Sequence, residues 1–199
     1  TVPAGATVGT IDPNGNTVTV NGGTVKSIAS TVASSNVVVE STDTDATASD
    51  VSAIDVTGTV AIGNTGDTVT TKVGTVKADG LVTVTANNNA DKTAIGSTVS
   101  SITANAVTVN SKKASIGAIT KKTAADSGTV TASADGVSLP ALDGYTLTVT
   151  DNATVASVAN AGASTVASGK TLTVSGKAAF TDNVTGGGTI KIAPASLTI

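Results

Sequence analysis

Short runs in which a branched apolar residue alternates with a hydroxylated or small one recur along the whole chain. In TVTV, residues 17–20, Val18 and Val20 alternate with Thr17 and Thr19, which places the valines on one face of a strand and the hydroxyls on the other. The same phrase returns at Val37/Val39, Val60/Ile62, Val82/Val84, Val107/Val109, Val130/Ala132, Leu147/Val149, Leu172/Val174 and Ile190/Ile192. Between these fall pairs of apolar residues three or more positions apart: Val25/Ile28, Val51/Ile54, Val73/Val76, Val99/Ile102, Ile116/Ile119, Val137/Leu142, Val155/Val158 and, less regularly, Phe180/Val184.

Successive phrases of the first kind stand roughly 20 residues apart, the spacing of a repeat architecture in which each unit is one coil. We therefore expect an all-β chain, residues 1–199 forming a single elongated β-solenoid of roughly eight coils. Its inward set should include Val18, Val37, Val60, Val82, Val107, Leu147 and Leu172, with Thr19, Thr83, Thr148 and Thr173 outward. The turn residues support an alternative. Asn21-Gly22, Asp79-Gly80, Asp135-Gly136 and Asp143-Gly144 are hairpin signals, and strands joined by them would build one or two β-sandwich modules.

Composition favours the solenoid. Phe180 and Tyr145 are the only aromatics, and Trp, Met, His and Cys are absent, so a core of Val, Ile, Leu and Ala must be narrow. The lack of Cys removes disulfides and thiol chemistry. A net charge of −3 argues against a nucleic-acid partner, and no run of apolar residues is long enough for a membrane-spanning helix. The chain starts at Thr1 without Met, and its Thr- and Gly-rich character leads us to expect an exported protein, extracellular or at the cell surface, whose signal segment has been removed.

Candidate chemistry is sparse. Asp12, Asn14 and Asn16 alternate in DPNGN as oxygen ligands for calcium could, but no full EF-hand loop or RTX array follows, and ordinary turn chemistry is the preferred reading. Asn152 and Asn183 head glycosylation sequons. The acidic residues are scattered, and without His or Arg no acid–base constellation forms, so we expect no enzyme and no cofactor beyond a possible calcium ion. Charge is segregated: residues 40–55 hold Asp43, Asp45 and Asp50 without a lysine, whereas residues 105–125 hold Lys112, Lys113, Lys121 and Lys122. Opposite patches on different surfaces suit contacts between copies, as do the uncharged termini, where Leu197 and Ile199 could add to a neighbour.

TVT or TLT triplets begin at Thr17, Thr68, Thr83, Thr129, Thr146, Thr148 and Thr171. This array resembles that of β-solenoid ice-binding proteins, which implies a flat threonine face, although Val38 and Lys191 interrupt the expected rank. More broadly, the Thr/Val/Ala/Gly-rich periodic chain resembles the β-helical segments of prokaryotic surface-layer proteins, adhesins and extracellular filaments. That resemblance implies a structural protein that self-associates into a layer or fibre, with adhesion to neighbouring cells, ice binding or glycan binding as the alternatives.

Overall fold

The computed structural model describes residues 1–42, 47–65, 69–86 and 96–193, with Asn160 described by its backbone alone. Among these residues the regular element is the β-strand, and the strand pairings are parallel throughout. The chain is a β-solenoid of about eight turns.

One sheet runs the length of the molecule. Its nine strands, in spatial and sequence order, are Thr17–Asn21, Asn36–Glu40, Val60–Ile62, Val82–Thr85, Ala106–Asn110, Gly128–Ala132, Tyr145–Val149, Ser164–Val166 and Val184–Thr185. Strict alternation in these strands sends every second residue inward, and the coils stack in register. The result is a continuous ladder, Val20–Val39–Ile62–Val84–Val109–Ala132–Val149–Val166, in which each member is at most 1% exposed. Each fully buried Val or Ile contributes roughly 1.5–3 kcal/mol of transfer free energy. Of the inward residues expected from the sequence, Val37, Val60, Val82, Val107, Leu147 and Leu172 are buried, while Val18 near the first coil is half-buried.

The opposite wall changes character along the axis. In the first coils it is a single sheet of Thr7–Ile11, Thr24–Ser30, Asp50–Val56, Thr71–Ala78, Ser97–Thr103 and Ala114–Ile116, with Ile119–Thr120 also pairing to Ser97–Thr103. Inward residues here are three apart, as at Val51 and Ile54, because two consecutive residues turn outward and bend the strand at its middle. At Gly117 and Ala118 the bend becomes a break, and Ile116 and Ile119 lie on separate strands. Beyond it each coil contributes to three sheets. The second is Val137–Leu139, Ala153–Val155, Thr171–Val174 and Thr189–Ile192; the third is Leu142–Asp143, Val158–Ala161 and Ala178–Phe180.

This widening corrects two expectations. Leu172/Val174 and Ile190/Ile192 do not continue the series of Val18/Val20; they stack on Ala153/Val155 in the second C-terminal sheet. The long sheet is continued instead by Ser164 and Val166, then by Val184. The hairpin alternative also fails. Asn21-Gly22 sits at the corner between two strands of different sheets, and the positive φ angles of Gly22, Gly136 and Gly144 (76°, 75° and 70°) turn the chain from wall to wall.

Polar side chains line the corner after the long sheet. Thr71 Oγ1 donates to the Gly63 carbonyl at 2.7 Å and accepts from Ser41 Oγ at 2.8 Å, Ser97 Oγ donates to the Thr85 carbonyl at 2.6 Å, and Asn64 Nδ2 donates to the carbonyls of Gly96 and Val69. All four side chains are buried, so these bonds supply partners that water supplies elsewhere.

Candidate functional site: a neutral threonine face

Alternation in the long sheet fixes its outer surface as firmly as its core. The central outward column reads Thr19–Val38–Ala61–Thr83–Thr108–Thr131–Thr148–Thr165–Thr185. From Thr83 onward, six consecutive coils carry threonine in register, about 4.8 Å apart by the spacing of a parallel ladder. Two residues earlier on the same strands, Thr129 stacks on Thr146, and Thr17 lies beside Asn36. Neighbouring hydroxyls approach each other at the C-terminal end, with Thr165 Oγ1 and Thr185 Oγ1 3.2 Å apart.

A third column turns its hydroxyls back into the fold, as Thr185 of the central column also does toward the Ser164 carbonyl at 3.4 Å. The hydroxyls of Thr85, Ser133 and Thr150 turn back to the carbonyls of Ile62, Val109 and Ala132, each at 3.4 Å, and so are spent within the fold. Glu40 is the only charged residue in the nine strands. The interruption expected at Lys191 is absent from this face, because Lys191 stacks on Thr173 in another sheet. Val38 does interrupt the rank, followed by Ala61.

Charge collects on the opposite wall and in the turns between strands. Asp50 and Asp55 lie in register with Lys72 and Lys77, and Lys77 Nζ meets Asp55 at 3.0 Å. Lys122 pairs with Asp79, and Lys121 Nζ donates to the carbonyls of Ala124 and Asp126 at 3.0 Å each, which ties down its own loop. Asp126 in that loop accepts from Asn105 Nδ2 at 3.0 Å and from the Thr123 amide at 3.1 Å, and these bonds hold its carboxyl below the usual range. Lys170 meets Asp151 at 2.7 Å; the contact lowers the carboxyl and raises the ammonium. Lys112 is exposed and Lys113 half-buried. Among the described residues, none of the three ion pairs joins the acidic segment to the four lysines that were expected to meet it across copies. Asp43, Asp45, Leu197, Ile199 and Thr68 lie outside the described residues.

The remaining candidates fall at corners. Asp12 Oδ1 accepts from the Asn14 amide at 2.9 Å, and Asn16 Nδ2 donates to the carbonyls of Pro13 and Asn14 at 3.1 Å, so this trio is knitted into a turn. No group of three or more acidic, His or Cys side chains is placed to hold a metal among the described residues. Asn152 is exposed but engaged at both ends of its carboxamide, donating to Asp135 at 2.8 Å and accepting from the Thr171 amide at 3.0 Å. Asn183 is exposed. A groove of about 650 Å³ follows the break in the second wall, bordered by Thr120, Lys121, Leu142 and Ser157.

Searching for TVT triplets finds only part of the face. Thr108, Thr165 and Thr185 stand in AVTVN, ASTVA and NVTGG, and the signal that locates them is their position beside an inward Val, counted coil by coil. Comparison with family models, curated proteins and solved structures finds no match.

Proposed function

We propose that this chain is an exported, non-catalytic structural β-solenoid that self-associates through the neutral face of its nine-stranded sheet. The observation that carries the reading is the segregation of charge: the nine-stranded sheet has a single carboxylate, at its margin, while among the described residues one ion pair lies on the opposite wall and the other two in the turns between strands. Nine strands of two to five residues, about 14 Å long on average and spaced about 4.8 Å apart, give a face of roughly 520 Å². Two such faces together bury about 1,000 Å², the size at which a specific interface begins. Threonine methyls, Val38, Ala61 and the 41% exposed Leu81 give that surface its apolar share. Export to the cell surface rests on the compositional resemblance to surface-layer and filament proteins.

A second reading, ice binding, is favoured by the uninterrupted column from Thr83 to Thr185. The two separate in one pair of measurements on wild type and on a Thr108→Lys/Thr131→Lys/Thr148→Lys variant. Self-association requires wild-type oligomers by sedimentation and negative-stain microscopy that the variant loses. Ice binding requires a monomer with thermal hysteresis that the variant loses. A wild type that is monomeric and without hysteresis overturns both.

A further inference from the structure

The chain contains two Asn-Gly pairs, Asn14-Gly15 and Asn21-Gly22. This dipeptide is chemically the most vulnerable of asparagine contexts, since glycine puts no side chain in the way of its own nitrogen. The Gly nitrogen gives up its proton and attacks Cγ of the preceding Asn, and ammonia leaves. Water then opens the resulting five-membered succinimide at either carbonyl, leaving an aspartyl or an isoaspartyl residue. The net exchange is one water in, one ammonia out, with a new negative charge.

Both attacking nitrogens are occupied in this fold, and in the same way. The Gly15 amide donates to Ser35 Oγ at 2.9 Å, and the Gly22 amide donates to Ser49 Oγ at 2.7 Å. Each serine comes from the following coil and is fully buried. Ser49 is further oriented because its hydroxyl donates to the Glu40 carbonyl, which leaves its lone pairs facing Gly22. We infer that Asn14 and Asn21 are latent deamidation sites, held intact by Ser35 and Ser49.

The glycines cannot be dispensed with instead. Gly15 and Gly22 have φ of 78° and 76°, and a Cβ on Gly22 would stand 2.9 Å from the Ala4 Cβ. With the glycines required by the corner, capturing their N–H groups is how the fold protects the bond. Failure would be costly at position 21. Asn21 lies in register with Glu40, so deamidation sets two carboxylates opposite each other, and an isoaspartyl linkage lengthens the backbone of an end-strand residue whose amide donates to Val2 at 2.9 Å.

The test ages wild type, Ser35→Ala and Ser49→Ala in mildly alkaline buffer and maps deamidation and isoaspartate by peptide mass spectrometry, with denatured wild type as the measure of intrinsic lability. Folded wild type should stay intact at both positions while the denatured chain converts at both. Ser35→Ala should convert faster at position 14 only and Ser49→Ala at position 21 only, each by up to about tenfold, the worth of one lost hydrogen bond. Equal rates in wild type and variants overturn the inference, as does a folded wild type that converts as fast as the denatured chain. If a variant unfolds and converts at both positions, amide exchange of Gly15 and Gly22 in wild type decides: protection upholds the capture, and exchange at the rate of a free turn overturns it.

Discussion

The hydroxyl of Tyr145 donates a 2.8 Å hydrogen bond to the carbonyl oxygen of Ala104, across 41 residues of sequence. Gly128 makes this reach possible. It lies in register beside Tyr145, and a Cβ there would stand 2.6 Å from the ring carbons Cδ1 and Cε1. Residues 121–127, between Ile119–Thr120 and Gly128–Ala132, belong to no strand, and the buried ring packs beside Gly128. Removing the hydroxyl with Tyr145→Phe should cost about 1–3 kcal/mol, since a buried carbonyl loses its partner. Gly128→Ala should cost a similar amount by overpacking. Burial pushes the phenol up to about 12 from 10.0, so the unfolded chain releases this proton first and stability falls as pH rises from about 10. Denaturant titration of both variants and alkaline absorbance of the phenolate check these expectations; a Tyr145→Phe protein as stable as wild type would refute the role of the bond.

Glycine tolerance should differ within one stacked column. Gly9, Lys26, Ser52, Gly74, Ser100 and Gly117 occupy the bend of successive coils. A Cβ on Gly74 would meet the Ser52 carbonyl at 2.1 Å, whereas one on Gly9 has nothing within 4 Å. Gly74→Ala should therefore destabilise by about 1–3 kcal/mol or more, and Gly9→Ala should lie within about 0.5 kcal/mol of wild type. Thermal unfolding of the two single variants measures the difference.

Much of this architecture was legible because it rests on period. Strict alternation around Val37, Val60, Val82 and Val107 announced the inward ladder, and around Val82 and Val107 the outward threonines as well, and parallel stacking requires nothing else of the sequence. The change from two walls to three was hidden. Ser164/Val166 carries a single branched apolar residue and is inconspicuous, while Leu172/Val174, on a different wall, imitates the phrase better than the true successor. The Asn-Gly and Asp-Gly turns misled because a positive φ turns a corner as readily as it closes a hairpin. Tyr145 gave no signal at all, since its partner is a backbone carbonyl.

Asn64 should be intolerant of its nearest isostere. Its Nδ2 donates to two carbonyls, including Gly96 at 3.1 Å, while its Oδ1 has no hydrogen-bond partner among the described residues. Asn64→Asp sets an acceptor, and at neutral pH a buried charge, against those carbonyls; the expected loss is about 3 kcal/mol or more. Because protonation restores one donor, the variant should recover part of its stability in acid. Denaturation midpoints of wild type and variant as a function of pH would show whether it does.

Acid sensitivity should be traceable to named carboxyls. Asp151 is held below 3.8 by Lys170 and by the Asn152 amide, and Asp126 by Asn105 and Thr123. For a depressed carboxyl, the stability contribution is complete above the unfolded value and is lost as pH falls through the lower folded one. Lys170 is raised above 10.5, so its share is complete below that value and disappears as pH rises through the folded one. Lys170→Ala should move the Asp151 titration upward and leave Asp126 unchanged, and Asn105→Ala should do the reverse, as carboxyl chemical shifts would record. Movement of both carboxyls in either variant would mean that a shared structural change, not the local bonds, sets them.

Salt separates two ways in which copies could meet. If the acidic residues 40–55 of one copy faced lysines 112, 113, 121 and 122 of another, assembly would weaken as ionic strength rises past about 0.15 M, where the screening length is about 8 Å. The fold already uses part of that charge internally: Asp55 pairs with Lys77, Lys122 with Asp79, and Lys121 binds its own loop. The long sheet presents threonine, small apolar residues and one glutamate, so contact through it releases little charge to be screened. Excluded salts such as sulfate strengthen burial of apolar surface, which predicts assembly that is unchanged or enhanced on going from dilute buffer to high salt. Sedimentation velocity across that range, repeated with Lys112→Glu/Lys113→Glu and with Thr131→Lys, gives the answer. Assembly that persists in salt, survives the double glutamate change and fails with Thr131→Lys places the contact on the threonine face; assembly that dissolves in salt and fails with the glutamates places it on the charged walls.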